Sequence, residues 1–125
     1  MAIRVVDHLN IVTEKLEETR DFYVRVLKLK EGWRPAFASE GYWLYAGAHP
    51  VVHIQQAVHP VGPTEACALN HAAFTVEDID TLLVSLKTNG VRVEETLVPG
   101  TAIRQAFFLD PNGVRLELSY DPAQG

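Results

Sequence analysis

Hydrophobic and polar positions alternate with a period of two over residues 3–12. Ile3, Val5, Leu9 and Ile11 share one side and Val6, His8, Asn10 and Val12 the other, the pattern of a strand with two distinct faces. The period then lengthens to that of a helix from Leu16 to Leu27, with Leu16, Phe22, Tyr23, Val26 and Leu27 as its apolar side. Shorter strand patterns follow at Trp33–Phe37, Tyr42–Ala46 and Val51–Gln56, separated by Gly41 and by the turn residues from Gly47 to Pro50. Residues 58–68, with Pro60, Gly62 and Pro63, read as a linker. The pattern then begins again. Leu69–Thr75 alternates like the first strand, Asp78 is placed to cap a helix over Ile79–Asn89, and Gly90 to stop it. Ile79, Leu82, Leu83 and Leu86 fall at helical spacing within it. Strands are predicted at Val91–Val98, Ile103–Leu109 and Val114–Tyr120, the last two joined by the turn Asp110-Pro111-Asn112-Gly113.

The order strand, helix, three strands thus occurs twice. Laying HLNIVTEKLEETRDFY over HAAFTVEDIDTLLVSL puts His8 on His71, an offset of 71 − 8 = 63 residues in a chain of 125. The expected class is α+β: a first βαβββ module at 1–57, a linker at 58–68 and a second module at 69–125, together one compact structural domain in which two small modules share a core. Composition narrows the function classes. A net charge of −5 without any Lys or Arg run argues against a nucleic-acid surface. No apolar stretch reaches the roughly 20 residues of a membrane span, and the start MAIRVVDHLN lacks the pattern of a secretory signal. With Cys67 alone, no intrachain disulfide can form, so a reducing, cytoplasmic setting is expected.

The duplication gives four polar residues a shared reading. His8 and His71 hold the same place in the two modules, His53 lies on the last strand of the first and Glu117 on the last strand of the second. Alternation puts His53 with Val51 and Gln55, opposite Val52 and Ile54, and Glu117 with Arg115 and Ser119, opposite Leu116 and Leu118. The heavier apolar face can pack on a helix while the other lines a cavity. Neutral imidazoles and a carboxylate on rigid strands suit one divalent ion such as Zn, Ni, Fe, Mn or Co, with open positions for substrate oxygens. Taken singly, each is more simply a hydrogen-bonded strand residue; the joint placement in a repeated frame carries the metal reading. Trp43, among Trp33, Phe37, Tyr42 and Tyr45, could wall a ring-bearing or hydrophobic substrate, against ordinary core packing. Arg104 could hold a substrate anion or form a surface ion pair, and Arg115 is expected to pair with an acidic neighbour. His49 and His59 are expected to face water, and Cys67 has no activating base. Asp7 cannot share a face with His8 on a regular strand and receives no role.

With these residues in place the chain resembles the vicinal oxygen chelate superfamily, which includes glyoxalase I, fosfomycin-resistance enzymes, extradiol dioxygenases and bleomycin-binding proteins. The resemblance spans nearly the whole chain and rests on HLNIVTEKLEETRDFYVRVLKLK, NHAAFTVEDID and RQAFFLDPNGVRLELSY. It implies paired βαβββ modules forming an open, U-shaped mixed sheet around a metal cavity with helices outside, and a homodimer acting on a small molecule. The family's metal ligands map to His8, His71 and Glu117. The remaining ligand, Glu in typical glyoxalase I, maps to His53, with Gln55 as substitute if the register shifts by two. A metal-bound imidazole is a poor proton carrier, so Glu117 is left as sole carboxylate base. A glyoxalase-like lyase or isomerase is the leading expectation. An Fe(II) ring-cleaving dioxygenase would also want an acid–base His or Tyr, none clearly placed. A metal-free antibiotic-binding protein would usually lack the ligand set.

Overall fold

A computed structural model describes residues 2–124. The chain divides into two compact units, Met1–Val61 and Gly62–Gly125. In the first, strand β1 (Leu9–Thr13) leads into helix α1 (Leu16–Asp21), which continues as a π-helical turn over Phe22–Val26. Strands β2 (Lys30–Gly32), β3 (Gly41–Ala46) and β4 (His49–Gln56) follow. The second unit repeats the series as β5 (His71–Thr75), α2 (Ile79–Thr88), β6 (Glu94–Leu97), β7 (Arg104–Leu109) and β8 (Arg115–Tyr120). The two four-stranded sheets have the same topology, β1-β4-β3-β2 and β5-β8-β7-β6, mixed because the first strand runs parallel to the last. A parallel pair needs a crossover, and the helix supplies it in both units. This is the tandem βαβββ, α+β architecture expected from the sequence.

Helix and sheet meet where the periodicity puts them. Leu16, Phe22, Tyr23, Val26 and Leu27 are all buried, as are Leu44, Val52 and Ile54 of the first sheet. In the second unit Ile79, Leu83 and Leu86 are buried, as are Ala106, Phe108, Leu116 and Leu118. Asp78 caps α2 as its placement predicts, its carboxylate accepting from the Thr81 backbone N–H at 3.0 Å. Asp110 builds the predicted turn by accepting from the N–H of Asn112 at 2.7 Å and of Val114 at 2.9 Å.

Several boundaries differ from the sequence reading, each for a local reason. The expected strand at Trp33–Phe37 is absent; β2 lies earlier. Pro35 gives its carbonyl to the Phe37 N–H at 2.8 Å, Arg34 Nη1 donates to the Ser39 carbonyl at 2.9 Å, and Tyr45 Oη donates to the Trp33 carbonyl, so this segment folds on itself. At Gly32 a Cβ would lie 2.7 Å from the Tyr45 ring, so only glycine lets that ring lie across β2. The fourth strand starts at His49 rather than Val51, with Pro50 next to a register shift and outside the stretch paired with β1, where a missing N–H costs no ladder bond. The first strand begins only at Leu9, leaving Ile3, Val5 and Val6 exposed, and its counterpart begins at His71 rather than Leu69. Within the expected 58–68 linker, Thr64 is tied to the second unit: its N–H donates to Gly113 at 3.2 Å and its hydroxyl accepts from the Arg115 N–H at 3.0 Å. No helix among the described residues is long and apolar enough to cross a membrane.

Candidate metal centre

In the first unit β4 holds the site, because it lies between β1 and β3. Register puts His53 beside Asn10 on one side and Trp43 on the other. Its ring is sandwiched: His8 stacks on it at 3.7 Å between centroids and 13°, and Trp43 at 4.1 Å and 13°. Val52 and Ile54, alternating with it, point into the core at 0% and 1% exposure, so His53 lies on the opposite face. His53 Nε2 is buried with no hydrogen-bond partner. Burial, and then the neighbouring His8, hold its pKa below the ordinary imidazole value, favouring the neutral ring. Gln55, two register steps on, is otherwise engaged: its Oε1 accepts from Asn10 Nδ2 at 3.0 Å.

The second unit repeats the frame with a carboxylate. Glu117 pairs with Ala73 and Phe107, and is 7% exposed although it alternates with the fully packed Leu116 and Leu118. Gln105 Nε2 donates to Glu117 Oε2 at 3.0 Å, and Thr96 donates to Gln105 Oε1 at 3.1 Å, which fixes the amide with its N–H group toward the carboxylate. Oε1 of Glu117 lies 3.3 Å from His71 Nε2. His71 Nδ1 lies 2.9 Å from Asn70 Oδ1, an acceptor, so Nδ1 carries the proton and, in the neutral ring, Nε2 is a bare lone pair. Two acceptors then face each other at 3.3 Å, an arrangement that a cation or an added proton makes favourable. In the first unit the orphaned His53 Nε2, and in the second these facing acceptors, are each of a donor chemistry that suits a divalent ion.

Each unit therefore brings together one pair of the four expected ligands, His8 with His53 and His71 with Glu117. No group of three His, Cys, Asp or Glu side chains is arranged to hold a metal among the described residues. Of the expected substrate contacts, Trp43 lies against His53, whereas Arg104 is on the face of β7 opposite Glu117 and donates to Asp80 of α2 at 3.0 Å. An exposed pair of this kind contributes little to stability. Arg115 lies over the Phe107 ring at 4.7 Å, a cation–π contact in place of the acidic partner expected for it. Two further features depart from the sequence reading. His8 precedes β1 rather than lying in it, so Asp7 is not forced to the opposite face, and its Oδ2 lies 2.7 Å from His8 Nδ1. His49, expected to face only water, places Nε2 2.9 Å from the Asp7 carbonyl and 3.1 Å from its Oδ1. Gln105 and Asn70 were both findable in the sequence. The turn at 110–113 fixes the pairing that puts Gln105 and Phe107 on the Glu117 face, and the offset of 63 that aligns His8 with His71 also aligns Asp7 with Asn70 (70 − 7 = 63).

Comparison with known proteins agrees with this architecture. The profile of the Glyoxalase/Bleomycin resistance protein/Dioxygenase superfamily matches residues 5–118. The uncharacterized protein YaeR of Escherichia coli strain K12 is 30% identical, the alignment covering 94% of this chain and 97% of that protein. Among solved structures, the glyoxalase family protein of Enterococcus faecalis is 29% identical with a TM-score of 0.72, covering 95% of this chain and 99% of that one. The fosfomycin resistance protein FosX of Listeria monocytogenes, at 18% identity, shares the fold with a TM-score of 0.74 over 98% of this chain and 97% of its own.

Proposed function

Because the chain belongs to the glyoxalase/bleomycin resistance protein/dioxygenase superfamily, the vicinal oxygen chelate proteins, we propose that it is a metal-dependent, glyoxalase-like lyase or isomerase acting on a small molecule with two neighbouring oxygens. The ligands are His8 and His53 of the first unit and His71 and Glu117 of the second. The observation that carries this reading is the pair of facing acceptors, His71 Nε2 and Glu117 Oε1 at 3.3 Å, whose remaining polar atoms are already committed to Asn70 and Gln105. His53 rather than Gln55 completes the set, because Gln55 is bonded to Asn10 while His53 Nε2 has no partner.

A divalent ion, when bound, supplies Lewis acidity toward the substrate oxygens. The chain's own groups do the rest. Glu117 is the carboxylate of the set, so proton transfer falls to its Oε1, while Gln105 holds Oε2 and so fixes the direction in which Oε1 points. Trp43 braces the far side of the His53 ring and limits its rotation.

Metal titration of the purified, chelator-stripped protein tests the reading. The parent is expected to take up one equivalent of Ni(II), Zn(II) or Co(II), and His8→Ala and Glu117→Ala to lose most of that affinity. Variants that hold as much metal as the parent would remove the basis for an enzyme of this kind. The exposed rings of Trp33 and Phe37, set around Trp43 at 5.8 and 6.3 Å, favour a second reading, a protein that sequesters a ring-bearing small molecule. Ligand binding unaffected by both variants would favour it.

A further inference from the structure

The two repeat-equivalent histidines, His8 and His71, are held in the same way. His8 Nδ1 lies 2.7 Å from Asp7 Oδ2, and His71 Nδ1 lies 2.9 Å from Asn70 Oδ1. The acceptor in each case is the preceding residue, at equivalent places of the repeat. An ionised carboxylate has no proton to give, so the His8 ring donates from Nδ1, and in the neutral ring Nε2 is then the unprotonated nitrogen. Asp7 lies outside the strand, yet it is anchored: His49, the first residue of β4, directs Nε2 at both the Asp7 carbonyl and its Oδ1. The repeat is unequal in one respect, since the first unit uses a charged acceptor and the second a neutral amide.

We propose that Asp7, steadied by His49, is a positioning residue that selects the Nδ1–H tautomer of His8 and so presents Nε2 as a metal donor, with Asn70 doing the same for His71. The inference rests on the metal-dependent reading for its purpose. Its geometry belongs to the metal-free protein. The negative charge of Asp7 favours positive charge arriving at the His8 ring, which the neutral amide of Asn70 does less for His71. Charge and tautomer selection are separable, since Asn70 demonstrates that an amide oxygen at this place can accept the same hydrogen bond.

The test uses the full chain with Asp7→Asn, Asp7→Ala and His49→Ala. Long-range 15N–1H correlation spectra of the metal-free protein report which His8 nitrogen carries the proton, and Co(II) titration followed by its visible absorption reports affinity. Asp7→Asn is expected to keep the Nδ1–H tautomer while weakening Co(II) binding about tenfold, and Asp7→Ala to shift the proton to Nε2 and weaken binding by roughly 10–100-fold. His49→Ala should move both readouts in the same direction by less. If Asp7→Ala retains the parent's tautomer, or shifts it with Co(II) affinity unchanged, the inference is overturned. A parent that takes up no Co(II) counts against the proposed function, and the tautomer comparison still decides whether Asp7 positions the ring.

Discussion

His53 concentrates the residue-scale argument. A ring packed between two other rings, with one nitrogen sealed from water and unbonded, favours its neutral form. Its folded pKa is depressed, so as pH falls the unfolded chain takes up this proton first, near the ordinary value of about 6.5. Stability linked to His53 is therefore fully present above that value and is lost progressively as pH drops toward the folded one. The metal-free parent should lose more melting temperature between pH 7 and 5 than His53→Phe, which keeps a ring in the stack without a titrating nitrogen. Parallel curves for the two proteins would contradict this. That His53, Glu117, His8 and His71 deserved attention was legible from alternation and the repeat. Asp7 was set aside because β1 was expected to run through His8, and the role of Gln105 emerges only when the turn at 110–113 is used to pair β7 with β8, which single-strand periodicity does not do.

Among the elements, the two helices occupy equivalent places but end differently. The segment after α1 closes at Lys28, which adopts a φ of 66°, and α2 is followed by Gly90 at 75°. A side chain in the left-handed region costs about 1–2 kcal/mol, and glycine avoids it. Opposite effects should follow from exchanging residue types. Gly90→Ala, with open space around its Cβ position, should destabilise by about 1 kcal/mol through backbone strain alone. Lys28→Gly should be neutral to stabilising by up to about 1 kcal/mol, the relief of strain being offset in part by greater freedom of the unfolded chain. Denaturant melts of both variants check the signs; destabilisation in both would contradict the account. Helix positions were readable because burial enforces a strong 3.6 period on Leu16, Phe22 and Tyr23. Strand ends were not, because β1 and β5 are edge strands whose limits are set by where β4 and β8 offer partners.

At the level of the whole molecule, duplication explains why each half of so small a chain carries a pair of candidate donors at equivalent places. Each unit repeats one topology, with a histidine just before or at the start of its first strand and, opposite the residue two places on, a polar residue of the strand that pairs with it: His53 opposite Asn10, Glu117 opposite Ala73. Substituting a carboxylate for an imidazole at one of the two equivalent places makes the pairs chemically unequal. The family and the fold were legible in the sequence because the repeat covers nearly all of it. The reaction was not, since it depends on how the atoms of each donor are engaged, such as Oε1 of Glu117 against His71, and on what the aromatic group at Trp33, Phe37 and Trp43 admits. The most direct test is an anomalous-diffraction map from crystals of the protein soaked in Ni(II) or Zn(II). One strong peak at about 2.0–2.2 Å from His8 Nε2, His53 Nε2, His71 Nε2 and Glu117 Oε1 is predicted. Metal bound to other side chains, or a map with no peak at these four, would contradict the account.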